Sequence, residues 1–331
     1  MNLTLFAKSL FASKKLLNMK KWVVILVIGL ILSLPYIFIP SIIRVQQSVI
    51  VTNNLRGFHR SLSEHKNWIK WWPGSVADNE KTLLLNGNAY HITDFTASTV
   101  DVDVEISSVS NRATLLFIPL GSDSIKLEWD MSISTTSNPL KHLQLYFASS
   151  AIANDIHAVL TSIQSYYANT ERTYGLDIRR ESVKDSSLVF TLDSSKGYPS
   201  TEKIYSMIDQ LSKYIDSHSA IATDAPMLNV YTVDKINYVI KAAVPTSKIL
   251  PSNGKINYRW MLPHGNILVA EVRGNRAKVD SAFNIMENYI ADYDLASPAI
   301  PYYSLITNRL KEKDSTRWIT KIYYPVMYYK N

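Results

Sequence analysis

Twenty-two consecutive residues, Trp22 to Ile43, carry no charge, and nothing else in the 331-residue chain repeats that run. At ~1.5 Å of rise per residue, a helix of this length reaches roughly 33 Å, against a bilayer hydrocarbon core of ~30 Å. A span must satisfy its backbone polar groups internally, so the run reads as a transmembrane helix, kinked or ended early by Pro35 and Pro40. A buried core helix and a cleaved signal peptide are the alternatives. No small-residue cleavage site follows the run, which favours an anchor. Lys8, Lys14, Lys15, Lys20 and Lys21 precede it, and no acidic residue occurs before Arg44. Short basic flanks stay cytoplasmic. The expectation is therefore a single-pass inner (plasma) membrane protein, with residues 1–21 as a cytoplasmic basic tail and the rest extracytoplasmic. The lipid bilayer would be its first partner, and Leu5, Phe6, Leu10 and Phe11 suit an amphipathic helix in the tail. Translation from Met19 would leave the first 18 residues dispensable.

Those five lysines also account for most of the net charge of +7. Outside the tail and the run, 30 basic residues face 28 acidic ones. A nearly neutral body offers no electrostatic footprint for nucleic acid. The absence of cysteine excludes disulfides and a lipidated cysteine anchor.

Beyond the run, strand-like Val45 to Val51 precedes a polar helical stretch from Asn53 to Asn67. Trp68, Trp71 and Trp72 follow, closed by the turn Pro73-Gly74. The tryptophans suit a domain core first, a pocket rim or a membrane-facing belt second. Val100, Val102, Val104 and Ile106 alternate with Asp101, Asp103 and Glu105, the period of a half-buried strand. Ile125, Leu127, Trp129, Met131 and Ile133 repeat that period, with a shorter strand at Leu115 to Leu120 between. Asn138-Pro139 has the chemistry of a helix start. Ile152, Ile156, Val159, Ile163 and Tyr166 then mark one apolar helical face. A long helix after antiparallel strands predicts a curved sheet gripping that helix, an α+β arrangement. In element order, and in Asn67-Trp68-Ile69-Lys70-Trp71-Trp72-Pro73, residues 44–169 resemble the START-like helix-grip superfamily. That resemblance implies binding of lipids or other apolar small molecules.

Residues 170–184 are polar and aperiodic, and read as a linker leading into residues 185–331. There a duplication is visible. Ile204, Ile208, Leu211 and Ile215 form a helical stripe, and Val279, Phe283, Met286 and Ile290 form another, each residue 75 positions further on. A strand precedes each stripe. A Pro-x-x-x-x-Tyr segment (Pro226 to Tyr231, Pro298 to Tyr303) and a strand ending at proline follow each one. Two β-α-β-β units side by side make one core with a cleft along their seam. This half resembles the gyrase-inhibitor-like effector-binding domain, through Leu262-Pro263-His264-Gly265, Gly274, Pro298 to Tyr303 and Tyr324-Pro325-Val326. The resemblance implies a central cleft for amphipathic, often cationic, small molecules, which some members hydrolyse. Pro301 stands where that family usually carries a ligand-facing glutamate, two residues before Tyr303. Cation binding and hydrolysis through that position are thereby put in doubt, and binding of a neutral or apolar ligand remains.

The seven histidines show no metal-ligand spacing, and no phosphate loop, dinucleotide fingerprint or nucleophile elbow occurs. The sequence therefore calls for no catalytic residue, metal or cofactor. The expected ligand-binding residues are Tyr231, Trp260, Glu271 and Tyr303. The aromatics suit a cleft wall or an ordinary core equally. Glu271 lies in an apolar strand, either as a site carboxylate or paired with Arg273 or Lys278 or facing water. Non-catalytic binding of an apolar or amphipathic small molecule is the leading expectation. A hydrolase in the repeat cleft and a protein-interaction scaffold are the alternatives.

Overall fold

The computed structural model describes residues 22–24, 26–30, 33–34, 36–77, 82–106, 109–135, 138–184, 187–261 and 263–327. The basic tail, the alternative start at Met19, Pro35, Leu262, and Tyr328 and Tyr329 lie outside them. The chain divides into two compact units, one of residues 1–52 and 62–168, the other of residues 53–61 and 169–331. Each is a mixed α/β structure built on one antiparallel sheet.

The expectation of a single-pass membrane protein is corrected here. Residues 22–24, 26–30, 33–34 and 36–38 are helical. Among the described residues, however, no helix is long and apolar enough to cross a membrane. The uncharged run does not end as helix. Pro40 has no N–H to continue a helical ladder, and Ile42 and Ile43 already pair as strand with Ser134 and Ile133. Ile39, just before, is buried, and its carbonyl lies 3.2 Å from Nε2 of the buried His142.

The first unit orders its strands β1-β7-β6-β5-β4-β3-β2. They are β1 (Ile42–Thr52), β2 (Ser75–Val76), β3 (Thr82–Leu85), β4 (Asn88–Phe95), β5 (Thr99–Ile106), β6 (Val109–Pro119) and β7 (Ser124–Ser134). Alternation decides which side is buried: Val100, Val102, Val104 and Ile106 of β5 point inward, as do Ile125, Leu127, Trp129, Met131 and Ile133 of β7. Asn86 and Gly87 both take positive φ, 49° and 84°, and link β3 to β4 by a two-residue turn that asparagine and glycine adopt readily. Two helices precede most of the sheet, α1 (Leu55–Leu62) and α2 (His65–Trp71), and the 29-residue α3 (Pro139–Tyr167) closes the unit. Asn138 caps α3 by accepting from the Leu140 and Lys141 amides at 3.0 and 3.3 Å. Its Ile152, Ile156, Val159, Leu160, Ile163 and Tyr167 are buried. The stripe thus ends on Tyr167 rather than on Tyr166, because 3.6 residues per turn carry the buried face round.

In the second unit a short helix, α4 (Thr170–Tyr174), leads to eight strands in the order β12-β9-β11-β10-β14-β15-β13-β8. They are β8 (Ile178–Ser182), β9 (Ser187–Lys196), β10 (Met227–Thr232), β11 (Asn237–Pro245), β12 (Ile256–Trp260), β13 (Asn266–Arg273), β14 (Tyr302–Leu305) and β15 (Ile319–Pro325). The duplicated helices are α5 (Thr201–Ser217) and α6 (Arg276–Asp292), capped by Ser200 and Asn275. Their stripes cover one face of the sheet in two clusters: Ile204, Ile208, Leu211 and Ile215 with Val189, Ile240 and Val244, and Val279, Met286 and Ile290 with Leu268, Ala270 and Ile322. The strand that leads each repeat pairs with the other repeat, β8 with β13 and β12 with β9. The stretch expected as a linker therefore contains a helix and an edge strand of this sheet.

Residues 53–61 join this unit through polar contacts. Arg60 is ion-paired with the buried carboxylate of Asp292, which also accepts from Tyr174 Oη at 2.8 Å. Asn54 Nδ2 donates to the Asp292 carbonyl at 2.8 Å, and Arg56 pairs with Asp294 at 2.8 Å. Burial raises the Tyr174 hydroxyl pKa first, and its bond to Asp292 adds to that. Gly57 is required by this packing, because a Cβ there would lie 2.4 Å from Tyr174 Oη. We expect Gly57→Ala to destabilise the second unit by about 1–3 kcal/mol through overpacking. Hydrogen exchange should then quicken in peptides covering 53–61 and 170–176. Unchanged protection in both would refute a docked role for this segment.

Candidate functional site

Helices cover one face of the second sheet, and the other face holds the candidate site. Strand parity sorts the side chains. Leu228, Ile240, Ala242 and Val244 turn toward α5, and their neighbours Met227, Lys241 and Ala243 turn away. Cross-strand register aligns the outward set: Ala243 lies opposite Phe190 and Met227, Leu188 opposite Arg259, Tyr302 opposite Tyr323, and Ile267 opposite Pro325. Leu188, Met227 and Ala243, with Phe190, Met261 and Tyr302 against them, form a small apolar cluster of their own. Two connections rise beside it. One joins β12 to β13 and brings Met261, His264 and Gly265. The other precedes β14 and brings Pro298, Ala299, Ile300 and Pro301. Together they enclose a cavity of about 620 Å³.

Polar groups at the cavity are few. Asn229 donates through Nδ2 to the Pro301 carbonyl at 2.9 Å, which ties β10 to the rim, and its Oδ1 has no hydrogen-bond partner. Lys241 places Nζ 4.3 Å from the centre of the Phe190 ring, a cation–π contact. Its pKa is lowered, first by burial and then by the nearby Arg259 guanidinium. His264 adopts a left-handed φ of 60° in the turn that delivers it to the wall. Neither aspartate nor glutamate lines the cavity.

The sequence-expected residues are not brought together. Trp260 lines the cavity from the edge strand and is 54% exposed. Tyr231 lies at the open end of β10, 50% exposed and outside the lining. Glu271 is exposed on the helix-free face, opposite Lys321 of β15, and is also outside the lining. Tyr303 points the other way. It packs against both helix-side clusters, with its ring 5.9 Å from that of Phe283, and burial raises its hydroxyl pKa. Tyr231 and Tyr303 therefore do not face one another across the seam. The cleft tyrosine is Tyr302, stacked on Tyr323 at 5.0 Å and 14°. The short β14 is flanked by apolar residues on both sides, so nothing in its pattern distinguished Tyr302 from Tyr303. Among the described residues no group of three or more His, Asp or Glu side chains is placed to hold a metal ion. Pro301, the position that lacks the glutamate, is on the cavity wall.

No protein-family model and no curated relative matches the chain. Solved structures with a similar fold include EcmrR in a complex with DNA, at 13% identity and a TM-score of 0.41 over 57% of this chain and 70% of that one. The C-terminal domain of EcmrR is similar at 14% identity and a TM-score of 0.40, covering 46% of this chain and 99% of that one. A hydrolase from Listeria innocua follows at 10% identity and a TM-score of 0.34, covering 45% of this chain and 92% of that one.

The opposite orientations of the two adjacent tyrosines can be separated by mutation. Tyr303→Ala opens a hole between the helix-side clusters and should destabilise the protein by on the order of 2–4 kcal/mol. Tyr302→Ala, on the solvent-open face, should cost less than about 1.5 kcal/mol, since it leaves the helix packing untouched. Chemical denaturation of both variants checks this, and equal losses would mean that the two side chains share one core.

Proposed function

We propose that the second unit is an effector-binding-like module whose cleft takes an apolar or amphipathic small molecule without turning it over. The observation that carries this reading is the cavity itself. Its volume of about 620 Å³ falls within the ~300–1,000 Å³ range of ligand pockets, and its wall is Met227, Met261, Trp260, Tyr302 and a run of prolines with few polar groups. A sheet face covered by helices would have been filled by side chains, as the opposite face is. Filling of that kind would have favoured the scaffold alternative.

The hydrolase alternative has less support. General-base activation of water needs a carboxylate or an imidazole within reach of the bound substrate. The lining contains no carboxylate, Glu271 lies outside it, and His264 lacks any acidic neighbour in the wall. We read the first unit as a helix-grip, START-like module on the strength of its seven-stranded sheet and long closing helix. Trp68, Tyr90, Trp129, Leu115 and Leu127 fill its interior and are fully buried, so ligand binding is assigned to the second unit.

N-phenyl-1-naphthylamine, a neutral dye that brightens in apolar surroundings, tests the assignment. Wild-type protein should bind it saturably. Ala243→Phe, which adds a ring at the cleft floor, should abolish binding without loss of the folded circular dichroism spectrum. Trp260→Ala should weaken binding by roughly 1–2 kcal/mol, the worth of a partly exposed aromatic wall. Dye binding that survives Ala243→Phe undiminished would place the ligand elsewhere and defeat the reading.

A further inference from the structure

We propose that the natural occupant of this cleft is an organic anion: an apolar body seated on the Met227–Tyr302 wall, with a carboxylate, sulfonate or phosphate head at Lys241 and Arg259. The inference rests on the reading of the cleft as a ligand site and names the class of ligand.

Three side chains carry it. Lys241 on β11 and Arg259 on β12 both lie on the helix-free face, with only β9 between their strands. Across that strand they flank Leu188 and Phe190, since Arg259 stands opposite Leu188 and Ala243, next to Lys241 on the same face, stands opposite Phe190. His264 adds a third nitrogen base to the wall. Neither Lys241 nor Arg259 is ion-paired with a carboxylate among the described residues, although most cations elsewhere on the second unit are matched: Lys203 with Asp193, Lys213 with Asp209, Arg276 with Asp280, Arg317 with Asp314. Two like charges beside an apolar cavity raise each other's energy, and the lowered pKa of Lys241 records that strain.

The acids on the same sheet face do not relieve it. Glu181 sits on the far edge strand β8, opposite Ile267, and Glu271 lies further along β13, opposite Lys321. Neither contributes to the cavity wall. A cationic ligand would meet two cations and no carboxylate, a repulsive arrangement of the kind that rejects wrong partners. A neutral ligand would leave both charges without a counter-ion. An anion supplies the missing partner, and its charge-assisted hydrogen bonds to lysine and arginine are stronger than neutral ones.

Two dyes with one apolar body separate charge from shape: neutral N-phenyl-1-naphthylamine and its sulfonate, 8-anilino-1-naphthalenesulfonate. The full chain should bind the sulfonate at least about tenfold more tightly, with the advantage shrinking as sodium chloride is raised. Lys241→Met combined with Arg259→Gln should erase the advantage and leave the neutral dye's affinity within about twofold. Arg259→Gln alone, at an exposed edge position, should remove part of it and serves if the double variant fails to fold. Equal affinities for the two dyes in wild-type protein, or an advantage that persists in these variants, would overturn the anion assignment while the cleft still binds the neutral dye. If neither dye responds to Ala243→Phe, the cleft itself is not the site and both conclusions fall.

Discussion

Everything proposed for the second unit depends on one asymmetry: two helices cover one face of an eight-stranded sheet, and no element covers the other. A strand sends successive side chains to opposite faces, so each strand must carry two different sets. On the covered side Leu211 and Met286 are fully buried against Ile240, Ala242, Leu268 and Ile322. On the other side the same strands present Leu188, Met227, Ala243 and Tyr302, which are apolar yet have no helix to meet. The two connections at 261–266 and 298–301 stand over this patch without filling it, and the cavity is what remains. The leading strands, β8 and β12, each pair with the opposite repeat. Neither repeat then has a complete sheet alone, which fixes the seam between them as a permanent feature.

Much of this was legible in the sequence, because a helix repeats its chemistry every 3.6 residues over four or five turns. The stripes at Ile204 to Ile215 and Val279 to Ile290, and the capping residues Ser200 and Asn275, all belong to that long pattern. Strand parity was not legible at the cleft, for the opposite reason. β14 has four residues, and Tyr302-Tyr303-Ser304-Leu305 offers an apolar group to either face. A shift of one residue inverts every side chain, so Tyr303 was expected on the wall that Tyr302 occupies. Partner choice was equally silent. Ile178-Arg179-Arg180-Glu181-Ser182 is too polar to read as a strand until β13 is seen beside it.

The first 61 residues show what a hydropathy run omits. Composition measures how apolar residues 22–43 are, but it does not register that Ile42 and Ile43 have strand partners 90 residues away. Asn53, Asn54, Arg56 and Arg60 likewise read as an exposed polar helix. Their partners, Asp292, Asp294 and Thr173, lie more than a hundred positions downstream. Breaking such a pair by removing one member leaves a buried charge uncompensated. The burial of Asp292 therefore makes sense only with Arg60, Tyr174 and the Asn54 amide all in place.

The cleft cations pose the same electrostatic problem with no internal solution. Asp292 is buried and fully partnered; Lys241 is half-buried and has only an aromatic ring and an arginine beside it. Because its folded-state pKa is depressed, the sign of its linkage is fixed. Below that depressed value Lys241 is charged in both folded and unfolded chains, and its desolvation and the repulsion of Arg259 count in full against folding. As pH rises toward the ordinary lysine range, the folded protein releases the proton first and the penalty relaxes. A bound anion reverses the direction: it favours the ammonium form, raises the pKa and takes up a proton wherever the empty cleft had lost one. Charge on Lys241 is a burden to the empty protein and an asset to the occupied one. That difference ties the occupancy of the cleft to its protonation.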